Sequence, residues 1–249
     1  MRWKISWRVT AAAVCGAVGL SGAGFALGLP GDSGALSPPA QANVTCPTSE
    51  VLLAHADGAV SIEASAACSG LPFYGSMAGK KLNSPIVGLA ATPQGTGYWL
   101  VAADGGVFGF GAAQFYGSTG NLRLNSPIVG MASSPDGGGY WLVAADGGVF
   151  AFGDARFMGS MGGQHLVQPV VGMAADVATG GYWLVAKDGG VFAFSNTTPY
   201  LGSLGGMRLN APIRFVSGTP DGDGYRMVGA DGGVFNFGDA QFYGSASAP

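Results

Sequence analysis

The stretch GYWLVAADGGVFAFG at residues 139–153 recurs in close copies along the chain, and a chain built this way must bury the same surfaces of every unit against its neighbours. Three markers fix the spacing. The Tyr of the motif returns at Tyr98, Tyr140, Tyr182 and Tyr225, the turn Asp at Asp104, Asp146, Asp188 and Asp231, and the Pro of the preceding segment at Pro85, Pro127, Pro169 and Pro212. The unit is about 42 residues long, in the range of propellers and other arrays. A degenerate copy opens the series, in which Leu52 to Gly58 aligns with WLVAADG and Phe73-Tyr74-Gly75-Ser76 with the later FYGS segments.

Each unit reads as four short apolar runs separated by turn residues. In the third unit these are Ile128 to Ala132, Tyr140 to Ala144, Val149 to Phe152, and Phe157-Met158-Gly159-Ser160. Runs this short suit strands rather than helices. Pro135-Asp136-Gly137-Gly138 carries β-turn chemistry, and Asp146-Gly147 supplies the positive φ values of a tight hairpin. The second run is apolar on both faces, which fits a strand sandwiched between neighbouring sheets. The expectation is an all-β, five-bladed β-propeller of four-stranded antiparallel blades, with units at about 43–76, 85–118, 127–160, 169–203 and 212–245. A right-handed β-solenoid is the alternative, but Asp-Gly hairpins favour antiparallel pairing. With only residues 246–249 after the last FYGS, the ring is expected to close by face-to-face packing of the first and fifth blades.

The N-terminal region has a different character. Arg2, Lys4 and Arg8 precede an uncharged stretch rich in Ala, Gly, Val and Leu, and Ala40-Gln41-Ala42 forms an A-x-A site. This is the layout of a signal peptide, residues 1–42, cleaved after Ala42. An uncleaved membrane anchor is the competing reading, weakened by the low hydrophobicity of Gly and Ala. Cys15 has Val14 where a lipobox wants a small residue. Beyond Ala42 remain eight basic and thirteen acidic residues, a formal charge of −5. That balance, with Lys80-Lys81 the only adjacent basic pair, opposes nucleic-acid binding. Cys46 and Cys68 are an even pair in a chain with an export signal, so a disulfide worth about 3 kcal/mol is expected. It would pin residues 43–47, in place of the Pro-Ile-Val-Gly strand the first unit lacks, to their own blade.

Catalysis needs unlike groups converging, whereas this chain repeats the same groups. The Asp104, Asp146, Asp188 and Asp231 set occupies turn positions where a carboxylate accepts from local backbone amides. Asp221-Gly222-Asp223-Gly224 hints at calcium but lacks the further donors of an EF-hand loop. Two His residues, His55 and His165, with a paired Cys set assemble no zinc site, and no Gly-x-Ser-x-Gly elbow marks a nucleophile. The Gly-x-Gly at Gly109-Phe110-Gly111 continues a strand rather than opening a helix, which disfavours a dinucleotide site. No metal or cofactor is expected. Alternation along the second strand sends Tyr and Trp to opposite faces and both into inter-blade packing. Tyr98, Tyr140, Tyr182 and Tyr225, at the strand's start, are the residues placed to stack on a sugar at a blade junction.

The GYWLVAADGGVFxFG, FYGS and LNSPIVG segments resemble those of secreted actinobacterial repeat proteins, over nearly all of the chain beyond the signal. The resemblance implies export and a propeller-like fold and lends no catalytic residues. The leading expectation is a secreted or cell-surface, non-enzymatic binding or scaffold protein recognising cell-wall or other glycans through repeated sites, with no nucleic-acid partner and no membrane attachment after signal cleavage. The alternatives are a hydrolase or lyase at the channel mouth, which requires His55, Glu63, His165 or Asp223 to converge, and a purely structural surface protein.

Overall fold

The computed structural model describes residues 51–63 and 72–245. They form fourteen strands in five antiparallel sheets, with no helix. The first sheet pairs β1 (Val51–Ala54) with β2 (Val60–Glu63). The second holds β3 (Ile86–Ala91), β4 (Gly97–Ala102) and β5 (Val107–Gly111). The third holds β6 (Ile128–Ser133), β7 (Gly139–Ala144) and β8 (Val149–Gly153). The fourth comprises β9 (Val170–Asp176), β10 (Gly181–Ala186) and β11 (Val191–Phe194), and the fifth β12 (Ile213–Gly218), β13 (Gly224–Gly229) and β14 (Val234–Gly238). In each complete sheet the middle strand is the GYWLVA-type segment.

Local stereochemistry accounts for these elements. The hairpins turn at Gly58, Gly105, Gly147, Gly189 and Gly232, all with φ of 79–81°, a region open to glycine at little cost. The preceding Asp caps each turn, its Oδ1 accepting the amide two residues on at 3.0 Å in all five units. The aspartates are therefore turn residues, as their position in the motif implies.

Stacking supplies the rest of the stability. The sheets follow one another with their first strands, β3, β6, β9 and β12, packed in series. Gly88, Gly130 and Gly172 lie on these strands, where a methyl group on Gly130 would stand 3.4 Å from the Gly172 Cα. Glycine lets the inner strands approach closely. Among the described residues the hydrophobic interior is correspondingly divided into four clusters, one for each pair of successive sheets. Trp141 and Val143 of the third sheet meet Val170, Met173, Tyr182 and Leu184 of the fourth, and the other junctions use equivalent residues. The middle strands β4, β7 and β10 are buried at every position.

The fourth run of each unit departs from expectation. FYGS segments lie outside the ladders, so the described sheets have three strands, or two in the first unit. The first four lie in the gaps between adjacent sheets. On one side the carbonyl of Ala113 lies over Gly109 of β5, and on the other Gly117 lies against the Phe152 ring of β8. Sheets that are close at their first strands leave a wedge between their third strands, and this segment fills it. Residues 1–42 and both Cys46 and Cys68 lie outside the described residues, as does the strand expected at 43–47.

Candidate binding surface

The four tyrosines expected to meet a ligand are instead the bolts of the sheet junctions. Tyr98, Tyr140, Tyr182 and Tyr225 are 0–1% exposed. Each donates its hydroxyl hydrogen to the carbonyl of the preceding unit's wedge glycine, Gly75, Gly117, Gly159 or Gly202, at 2.5–2.6 Å. The Tyr140 oxygen also accepts the amides of Tyr116 and Gly117. Each ring is packed on both sides: Tyr182 lies 5.3 Å from Trp141 and 5.6 Å from Phe194. Burial raises the pKa of all four above the ordinary phenol value, because the phenolate is poorly solvated there. No ring face remains for a sugar, and the correction has a simple cause. A strand start is a surface position only when no neighbouring segment crosses it, and here the wedge segment does.

Tryptophan holds the other end of that segment. The indole N–H groups of Trp99, Trp141 and Trp183 donate to the carbonyls of Gln114, Arg156 and Pro199 at 2.7–2.8 Å. In the fifth unit Arg226 takes the Trp position and its Nε donates to Gln241 in the same way, at 3.2 Å.

The remaining sequence candidates are dispersed. His55 bonds Ser61 within its own hairpin. His165 is exposed in the connection between β8 and β9, Glu63 ends β2, and Asp223 lies in the turn between β12 and β13, at the end of the sheets opposite the hairpin tips. Two carboxylate pairs occur at that opposite end. The Ser134 hydroxyl and the Gly138 amide lower the pKa of Asp136, while partial burial and the neighbouring Asp136 raise that of Asp154. Asp221 and Asp239 repeat the arrangement, with Thr219 in the place of Ser134. Among the described residues no group of three or more His, Cys, Asp and Glu side chains is arranged to hold a metal ion.

A different aromatic set faces solvent. Phe73, Phe115, Phe157, Tyr200 and Phe242 open the five wedge segments and are 57–62% exposed. In the first four units the following residue turns the other way: Tyr74 and Tyr116 are half-buried and donate to Gly95 and Gly137 of the next unit at 3.1 Å, whereas in the fifth Tyr243 is 81% exposed. Some other exposed positions of the unit drift, although the exposed Pro85, Pro127, Pro169 and Pro212 do not. The turn before the first strand carries Lys80, Leu122, Gln164 and Met207 at equivalent places, and the turn after it begins Pro93, Pro135, Val177 and Pro220. The exposed aromatic survives all five copies, including one change of Phe to Tyr. Its signal was in the sequence, as two adjacent aromatics of which a period-two chain can bury only one, but nothing local says which.

No protein-family model and no curated protein sequence matches the chain. Among solved structures, a similar chain is the β-propeller domain of Cps50 (Swd1) from Myceliophteria thermophila, 11% identical, with a TM-score of 0.49 over 76% of this chain. The match spans 62% of that chain's length.

Proposed function

We propose that this protein is a secreted, non-enzymatic binding or scaffold protein, a five-bladed propeller that recognises glycans through equivalent aromatic side chains on its outer edge. The observation that carries the reading is the fivefold return of one exposed aromatic, Phe73, Phe115, Phe157, Tyr200 and Phe242, at a position where the core does not require it. An exposed ring offers a negative face to the C–H groups of a sugar. Five equivalent sites on one frame convert weak single contacts into avidity toward a polymeric ligand. Cell-wall and other polysaccharides present the repeated epitopes such a frame would use.

The test compares the wild-type chain with variants in which one, three and all five of these residues are changed to Ser, using glycan arrays and sedimentation with isolated cell walls at low salt. Retention should fall stepwise with the number of rings removed, while the thermal transition stays in place. Equal retention of the wild type and the fivefold variant, or no retention of the wild type on either material, would overturn the proposal.

A further inference from the structure

The connections between units lie at the end of the sheets where the hairpins turn, and each is pinned at both ends to the turn of the unit it leaves. In the second unit the Thr119 amide donates to Gly105 at 3.2 Å and the Ile128 amide to Ala103 at 2.9 Å, and the other three connections repeat both bonds. The loop between those bonds is thereby held beside the turn aspartate. At the junction of the second and third sheets the two enclose a groove of about 260 Å³, lined by Asp104, by the apolar Leu122, Leu124 and Pro127, and by the polar Asn125 and Ser126. That size falls below the ~300–1,000 Å³ of sites for drug-sized ligands and suits a single small ring.

The polar groups of the groove are available. Asp104 commits Oδ1 to the Gly106 amide, while among the described residues its Oδ2 accepts no hydrogen bond and the side chains of Asn125 and Ser126 make none. Leu122 is 60% exposed, so burial within the protein does not account for an apolar side chain there. The equivalent residues Lys80 and Gln164 show that the fold accepts polar ones. This junction joins features that the others carry separately. The first connection keeps Asn83 and Ser84 but has Lys80 in place of the leucine. The last keeps the apolar Met207 and Asn210 but has Ala211, and the third has Val167 and Gln168.

A sugar ring matches that combination, being polar at its edge and apolar on its C–H face. One hydroxyl can donate to Oδ2 of Asp104 while its neighbour accepts from the Asn125 amide, and the Ser126 hydroxyl serves either role. We propose that the groove between the Asp104 turn and the Leu122–Pro127 connection binds one neutral sugar residue with adjacent free hydroxyls, held by Asp104, Asn125 and Ser126 against the side chains of Leu122 and Leu124. The site rests on the glycan reading above and gives the molecule one selective contact beside five generic ones.

Amide NMR spectra of the full chain, titrated separately with glucose, galactose, mannose and N-acetylglucosamine, test it. At least one of these sugars should shift the Gly105 amide and the Asn125 side-chain resonances with a Kd on the order of 1–10 mM, the strength of a few hydrogen bonds and one apolar contact. Asn125→Val combined with Ser126→Ala places there residues that other units already carry, and should weaken that sugar about tenfold or more. Asp104→Asn keeps the Oδ1 acceptor for the turn and should also weaken it, with the thermal transition unchanged in both variants. The variant with all five edge rings changed to Ser should bind the sugar as the wild type does. No shift with any of the four sugars, undiminished affinity in both groove variants, or loss of the shift in the fivefold ring variant would each sink the site. Sedimentation of the wild type with isolated cell walls then separates the two ideas: retention leaves the glycan reading standing without this groove, and no retention removes both.

Discussion

The junction between the third and fourth sheets and the outer face of the fifth are built on the same backbone, yet only one of them is a core. At the junction Trp141 is 1% exposed, stacks on Tyr182 and donates to Arg156. At the outer face Arg226 preserves that last bond and nothing else of the arrangement. The hydrogen bond therefore belongs to the wedge segment of the same unit, while the large apolar ring belongs to the neighbour. An indole is needed where a second sheet arrives, and a long polar side chain suffices where no described sheet does.

The widest gap between the two regions should appear on truncation. Trp141→Ala empties a closed junction and should cost about 3–5 kcal/mol, read from urea denaturation. Arg226→Ala should cost less than about 1 kcal/mol. Near-equal costs would break the comparison, since they would mean that the outer face is as tightly covered as the interior one.

A second contrast uses the wedge glycines. A methyl group on Gly117 would come 2.5 Å from the Phe152 ring, whereas Gly244, in the fifth wedge segment, has nothing within 4 Å. Both have positive φ, 141° and 111°, so the conformational penalty of a side chain is shared. Gly117→Val should exceed Gly244→Val by roughly 1–3 kcal/mol, the usual cost of overpacking. Equal melting temperatures for the two variants would count against the wedge contact.

The smallest effect isolates the tyrosine bolt. Tyr140→Phe leaves the ring and removes the hydroxyl that serves Gly117 and Tyr116, for a loss of about 1–2 kcal/mol. The same residues set an alkaline limit. Their folded pKa values are raised by burial, so the unfolded chain releases these protons first as pH climbs past the ordinary phenol value of about 10. Their contribution is complete below that pH and declines above it, through the window up to the folded values. Stability of the wild type should therefore fall more steeply above pH about 10 than that of Tyr140→Phe. Parallel profiles would remove this tyrosine from the alkaline response.

Much of this was legible one residue at a time. The Asp-Gly turns, the short apolar runs and the doubly apolar middle strand predict antiparallel sheets covered on both faces, and those sheets are present. Alternation alone leaves Tyr98, Tyr140, Tyr182 and Tyr225 open at the start of a strand, and the fold buries them for a definite reason. Tyr140 and Gly117 are 23 positions apart and belong to different units, so no local pattern joins them. The same contact moved FYGS out of the ladder and turned its first ring to solvent.

Sequence alone determined what depends on near neighbours: the unit length, the first three strands of each full unit, the turns and the residues that punctuate them, because φ preferences and side-chain alternation act over a few residues. Only the tertiary structure decided which of two apolar surfaces is covered. Burial is a property of the pair of sheets that meet, and the same Tyr, Phe or Trp is bolt, edge or absent according to whether another sheet stands against it.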